Sequence, residues 1–186
     1  GWMPEEFDAM GVDYKLRGKL TDEHLELYKA ACTDPTPEFQ GEHTSISGKI
    51  FFPNSIQKPH PPIWIGGITD AALKRTAKYG DYWNAFKVTP DDVPERLNKL
   101  ASICDSMGRD ASTIKASTTI NMDLTERQYE DGDRVIMTGT NQEVIDDIKR
   151  FEDSGLDYMI VSVTAPDTKD TTNYIYEFAD KIAALV

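Results

Sequence analysis

Residues 61–81 read PPIWIGGITDAALKRTAKYGD, and the reading of this run decides the fold. Pro61 and Pro62 lack a ladder donor and end whatever precedes them, while Ile63, Trp64 and Ile65 form the short apolar run expected of a strand buried on both faces. Gly66 and Gly67 close that strand. Thr69 or Asp70 caps the following helix, whose Ala72, Leu73, Thr76 and Ala77 share one packing stripe before Gly80 stops it. This arrangement brings backbone N–H groups and the positive end of a helix dipole to one small space, which suits a phosphate. An ordinary strand-to-helix turn needs the same glycines for backbone geometry alone, so both readings stand at this point.

Downstream the pattern repeats. Asp81 to Phe86 is a second strand, followed by a helix that begins at Thr89 and Pro90, carries Val93, Leu97, Leu100, Cys104 and Met107 at helical spacing, and ends at Gly108. Ile114 to Leu124 reads as a third strand, and the polar TERQYEDGD after it as an exposed, mobile loop. Val135 to Met137 is apolar but short; Thr140 and Glu143 then form a capping box for a helix to about Ser154, with Val144, Ile148 and Phe151 facing the core. Tyr158 to Val163 is a fourth strand with the β-branched residues of a buried parallel sheet, and a last helix from about Thr172 buries Ile175, Phe178, Ala179 and Ile182.

Upstream, Pro4 with Glu5 and Glu6 starts a helix with Phe7 and Met10 on its apolar face, and Thr21 caps a second that runs to about Cys32. Residues 39–60 are an irregular excursion with one hairpin. The expected organisation is one domain over 1–186: a helical segment at 1–38, the excursion at 39–60, and β/α units over 61–186. Alternating strands and helices imply an α/β fold with parallel strands and right-handed crossovers. A doubly wound sheet places helices on both faces, and a flavodoxin-like version of it that binds a nucleotide is one reading. A barrel segment keeps the helices on one side and leaves two exposed edges and an apolar inner face.

A net charge of −12, from 20 Lys and Arg against 32 Asp and Glu, disfavours nucleic acid and anionic membrane as partners. No apolar run approaches the roughly 20 residues of a membrane span and no signal segment is present, so a cytoplasmic location is the expectation. Cys32 and Cys104 form no CxxC pair and read as reduced structural thiols. His24, His43 and His60 lack metal-ligand spacing, so no metal site is expected; His24 shares a helical stripe with Leu20, Leu27 and Ala31 and reads as packed or hydrogen-bonded.

The runs GWMPEEFDAMGV, RGKLTDEHLELYKAACT, FQGEHTSISGKIFFP, QKPHPPIWIGG, ALKRTAKYGDYWN, GRDASTIKAS and TGTNQEVIDDIKRFEDSGLDYMIVSV together resemble the luciferase-like flavin- or deazaflavin-dependent oxidoreductases, in family order across nearly the whole chain. The resemblance implies a partial TIM (β/α)8 barrel: IWIGG is similar to the fifth strand, DYWNAF to the sixth, IKASTTI to the seventh and YMIVSV to the eighth, with the first four strands absent from this chain. It implies FMN or a deazaflavin (coenzyme F420) as cofactor, a small organic substrate, and hydride transfer or monooxygenation. Carried over residue by residue, the cofactor phosphate maps onto Gly66, Gly67, Ile68 and Thr69, and Trp2 resembles a position near the ring, though a packing tryptophan fits Trp2 equally well. Catalytic residues remain unknown, because the family's polar groups near the reacting carbon come largely from the first strands. A barrel's usual phosphate location, after strands seven and eight, points instead to Gly139 and Thr140 or to Thr164 and ranks second. Two functions follow: an oxidoreductase completed by a partner, such as a dimer that pairs open barrel edges, or a non-catalytic truncated half-barrel that oligomerises and at most binds a phosphate-bearing ligand.

Overall fold

The computed structural model describes residues 1–124, 128–163 and 168–186. The chain forms two compact units, Gly1–Pro62 and Ile63–Val186, with the boundary inside the PPIWIGG run.

In the first unit, α1 spans Pro4–Ala9 and places the Phe7 ring edge-on to Tyr14, with centroids 5.3 Å apart. Met10, expected beside Phe7, is exposed, because the helix ends before reaching it. Helix α2, Arg17–Thr33, does not start at Thr21: Asp13 caps a 3-10 turn over Tyr14–Leu16 that runs straight into the helix. Thr21 lies inside it, and its hydroxyl donates back to Arg17 O at 2.7 Å. The expected hairpin is present as β1, Phe39–Gln40, antiparallel to β2, Ser45–Ile46. Its loop is clasped to α2 by the Glu23 carboxylate, which accepts the backbone N–H groups of Glu42, His43 and Thr44. His24 is exposed and lies 3.1 Å from the Thr44 hydroxyl.

The second unit runs β3 (Trp64–Gly66), α3 (Asp70–Tyr79), β4 (Tyr82–Phe86), α4 (Val93–Ser106), β5 (Lys115–Met122), β6 (Tyr129–Glu130), β7 (Asp133–Arg134), α5 (Asn141–Asp153), β8 (Tyr158–Val163) and α6 (Thr168–Phe178). Its sheet is wholly parallel, in the order β3-β4-β5-β8. A strand order that never reverses is that of a barrel wall and not of a doubly wound sheet, so the flavodoxin-like reading falls. Trp83, Ala85, Ala116, Ile120, Met122, Met159, Val161 and Val163 share one core with Leu73, Leu100, Val144, Phe151 and Ile182 of the helical segments.

The alternate residues face away from those helices. Trp64 is 39%, Phe86 48%, Tyr158 57% and Ile160 43% exposed. IWI and YMIVSV are therefore buried on one face only, contrary to the expectation of two, because all the helices of the core pack on the other. The part of TERQYEDGD from Gln128 onward includes a second hairpin, β6-β7, with Asp131 at φ 51 and Gly132 at φ 92. Asp-Gly is the dipeptide that such a turn demands, and the expected loop gives way to it; Thr125, Glu126 and Arg127 lie outside the described residues. Helix α6 begins before Thr172 and continues into a π turn over Ala179–Ala183. Ile182 is buried and Phe178 half-buried, but Ile175 and Ala179 are exposed, since α6 lies against the edge strand and has sheet beneath only part of it.

Candidate functional site

The helix-free face carries Trp64 and Gly66 from β3, Tyr82, Asn84 and Phe86 from β4, Ser117, Thr119 and Asn121 from β5, and Tyr158, Ile160 and Ser162 from β8. At the N-terminal ends of the strands Trp64 stacks on Tyr82, 4.0 Å apart and 3° from parallel, and Tyr158 sits edge-on to both. Tyr82 and Tyr158 stand on strands separated by β5, yet their centroids are 6.2 Å apart. A flat sheet would hold them roughly 10 Å apart, so this face is the concave side of a curled sheet. Below the aromatic rings, the Lys115 ammonium meets the Asp157 carboxylate at 2.8 Å. Burial pushes the Asp157 carboxyl up, but Lys115 and the Ala116 N–H outweigh it and leave it below the usual range.

At the C-terminal ends lies the glycine turn. Gly67 has φ 119, where only glycine is unstrained, and a Cβ there would stand 3.1 Å from that of Ala72. The wholly buried Trp83 donates its indole N–H to Gly67 O at 2.8 Å, and Gly67 N donates to Asn84 O at 3.0 Å. Gly66 is different: a Cβ there would meet nothing within 4 Å, so the backbone lies bare on the concave side. Thr69 is the N-cap, its hydroxyl accepting the Ala72 N–H at 3.3 Å. Asp70 in the first turn would oppose an anion, but the Lys99 hydrogen bond and charge hold its carboxyl below the usual range, with Lys74 and Arg96 adding to the effect. Those cations offset the acid at this helix end.

Between the two ends Asn84 and Thr119 approach each other at 3.1 Å, and Ser117 lies 3.1 Å from the Asn84 side-chain oxygen. This amide–hydroxyl cluster was not singled out from the sequence, although its signal is there: polar residues at alternate positions of otherwise apolar strands.

The structure thus gathers Gly66, Gly67, Ile68 and Thr69 on one strand-turn-helix junction. Trp2 belongs to the first unit, is 83% exposed, and its carbonyl accepts from the Tyr14 hydroxyl at 3.4 Å. At the second-ranked location Thr140 N and Oγ1 lie 2.9 and 2.8 Å from the Glu143 carboxylate, which fills the place an anion would take. Thr164 lies outside the described residues. Among the described residues no group of three His, Cys, Asp or Glu is placed to hold a metal, and Cys32 and Cys104 are free thiols. No helix of the described residues is long and apolar enough to cross a membrane.

Comparison with known proteins agrees with this architecture. The chain is 27% identical over 169 residues to an uncharacterized protein of Mycobacterium tuberculosis (strain ATCC 25618 / H37Rv), covering 89% of this chain and 49% of that one. It therefore spans about half the length of the curated relatives it matches. Among solved structures it resembles monooxygenase RslO1 from Streptomyces bottropensis, with TM-score 0.76 and 16% identity, over 99% of this chain and 66% of that one. It also resembles an F420-dependent secondary alcohol dehydrogenase in complex with an F420-acetone adduct, with TM-score 0.74 and 15% identity, over 93% of this chain and 63% of that one. A riboflavin lyase with modified FMN superimposes with TM-score 0.73 and 13% identity, over 96% of this chain and 60% of that one. Residues 1–126 match the family model described as luciferase-like monooxygenase, and this chain belongs to that family.

Proposed function

We propose that the concave face is part of a flavin or deazaflavin site of an oxidoreductase, with FMN or coenzyme F420 as the cofactor and a small organic molecule as the substrate. The observation that carries the reading is the bare Gly66 backbone beside the capped N-terminus of α3, at the C-terminal ends of parallel strands, where barrel enzymes place their ligands. The residues fit such a group: a ring or chain can lie against Gly66, and the turn from Gly67 to Thr69 offers a phosphate backbone N–H groups and a helix dipole. When bound, the cofactor supplies hydride or oxygen chemistry. This chain's part is to hold the phosphate at Gly66, Gly67, Ile68 and Thr69 and to set the ring against the concave face. Copies of the chain pair through their open sheet edges in the cytoplasm and so complete the wall.

A second reading is a half-barrel that associates and at most binds a phosphate-bearing ligand. It draws on the cluster midway along the strands, which offers amide and hydroxyl groups where proton transfer would call for a carboxylate or an imidazole.

Titration of the purified protein with FMN, with F420 and with inorganic phosphate, followed by absorbance and calorimetry, decides between them. Saturable binding of one of the two cofactors, weakened in Gly66→Ala with an unchanged melting temperature, is the expected result. Gly67→Ala should also weaken it, but with a loss of about 1–3 kcal/mol of stability from the strained backbone. Phosphate binding without cofactor binding supports the half-barrel.

A further inference from the structure

An asparagine amide has two N–H donors and an oxygen with two acceptor positions. At Asn84, Thr119 Oγ1 lies 3.1 Å from Nδ2 and 3.3 Å from Oδ1, and Ser117 Oγ lies 3.1 Å from Oδ1. The Thr119 hydroxyl thus meets both the nitrogen and the oxygen, the single Ser117 proton is shared between Asn84 Oδ1 and the nearer Trp83 O, and one N–H of the amide is left over. Ser117 is wholly buried and lies 2.8 Å from Trp83 O, so the amide is anchored on the sheet and not on a loop. Asn84 itself is half-buried and stands directly across from Gly66 in the β3-β4 register. Gly66 is the position whose concave side is bare. A fixed donor and an open slot are therefore side by side, one strand spacing apart.

We propose that Asn84 is a ligand-contacting residue that donates its remaining Nδ2–H to a carbonyl oxygen on the ring of the bound cofactor. This rests on the flavin-type reading above. The acceptor is assigned to the ring because the phosphate belongs at the helix end from Gly67 to Thr69, whereas Asn84 stands on the body of the strand. The acceptor is an uncharged carbonyl because the donor is an uncharged amide, while the Lys99, Lys74 and Arg96 charges gather at the helix end.

The test is the infrared spectrum of the bound ring, recorded with FMN and with F420 in the wild type, Asn84→Ala and Asn84→Asp, beside dissociation constants and melting curves. Loss of a donor to a ring carbonyl moves its stretching band to higher frequency, and affinity falls on the order of tenfold in Asn84→Ala. Asn84→Asp, nearly isosteric, should bind more weakly still, because an acceptor then faces an acceptor; it also serves if Asn84→Ala fails to fold. Unmoved carbonyl bands in the variants, or unchanged affinity, overturn the proposal. A wild type that binds neither FMN nor F420 defeats the flavin-type reading itself, which a variant with altered bands cannot be confused with.

Discussion

Trp83 joins two jobs in one side chain: its ring fills the core and its indole N–H fixes the carbonyl of the strained Gly67. Trp83→Phe keeps an aromatic ring but leaves that carbonyl without its donor, and should cost about 1–3 kcal/mol in urea unfolding together with a weaker cofactor titration. Glu23 works by a different principle. Burial pushes its carboxyl up, but the N–H groups of His43, Thr44 and Glu42 outweigh it and hold the folded value below the unperturbed 4.5. A depressed carboxyl contributes stability above that unperturbed value and loses it as pH falls through the folded value. Protection factors of the Glu42 to Thr44 amides, in which the intrinsic pH dependence of exchange is divided out, should therefore be high at neutral pH and fall on acidification in the wild type, whereas in Glu23→Gln they should be lower at neutral pH and nearly independent of pH. Neither role is visible in the sequence, because each depends on a partner 16 or more positions away.

Among the elements, α5 shows how far periodicity reaches. Its capping box of Thr140 and Glu143 and its core residues Val144 and Phe151 follow from local pattern alone. Asp147, on the same buried stripe, does not: it accepts from Arg134 Nη2 and from Met137 N, both at 2.7 Å, and is 1% exposed. Asp147→Ala should cost about 3 kcal/mol, read as a lowered melting temperature, because it strands the buried Met137 N–H and takes the 2.7 Å carboxylate from the partly buried Arg134 guanidinium. Helix starts divide in the same way. Thr140 caps as its sequence indicates and Thr69 takes the cap that the sequence left between it and Asp70, while Thr21 is overridden by the Asp13 turn that extends α2 backwards.

For the whole molecule the consequential feature is the asymmetry of the sheet. One face is sealed by helices and the other bears Trp64, Phe86, Tyr158 and Ile160 at more than a third exposed. Among the described residues β3 and β8 each pair with a single neighbour, leaving two edges. If copies of the chain pair through those edges, sedimentation should give a mass above 20.9 kDa, and Ile160→Lys, on the concave side of an edge strand, should shift it toward the monomer. A wild-type monomer at all concentrations sinks that arrangement.

By itself the sequence determined the order of the four sheet strands and the helices between them, the glycine turn with a cap at Thr69 or Asp70, and the family, since these rest on local propensity, capping chemistry and motif spacing. Only the tertiary structure decided which face of each strand is covered, and so turned the apolar run of Ile63, Trp64 and Ile65 into two buried residues and one exposed ring. It also placed Asn84 against Ser117 and Thr119. Alternate residues of a parallel strand read alike when both faces are apolar enough to be buried; their difference appears only once the helices choose a side.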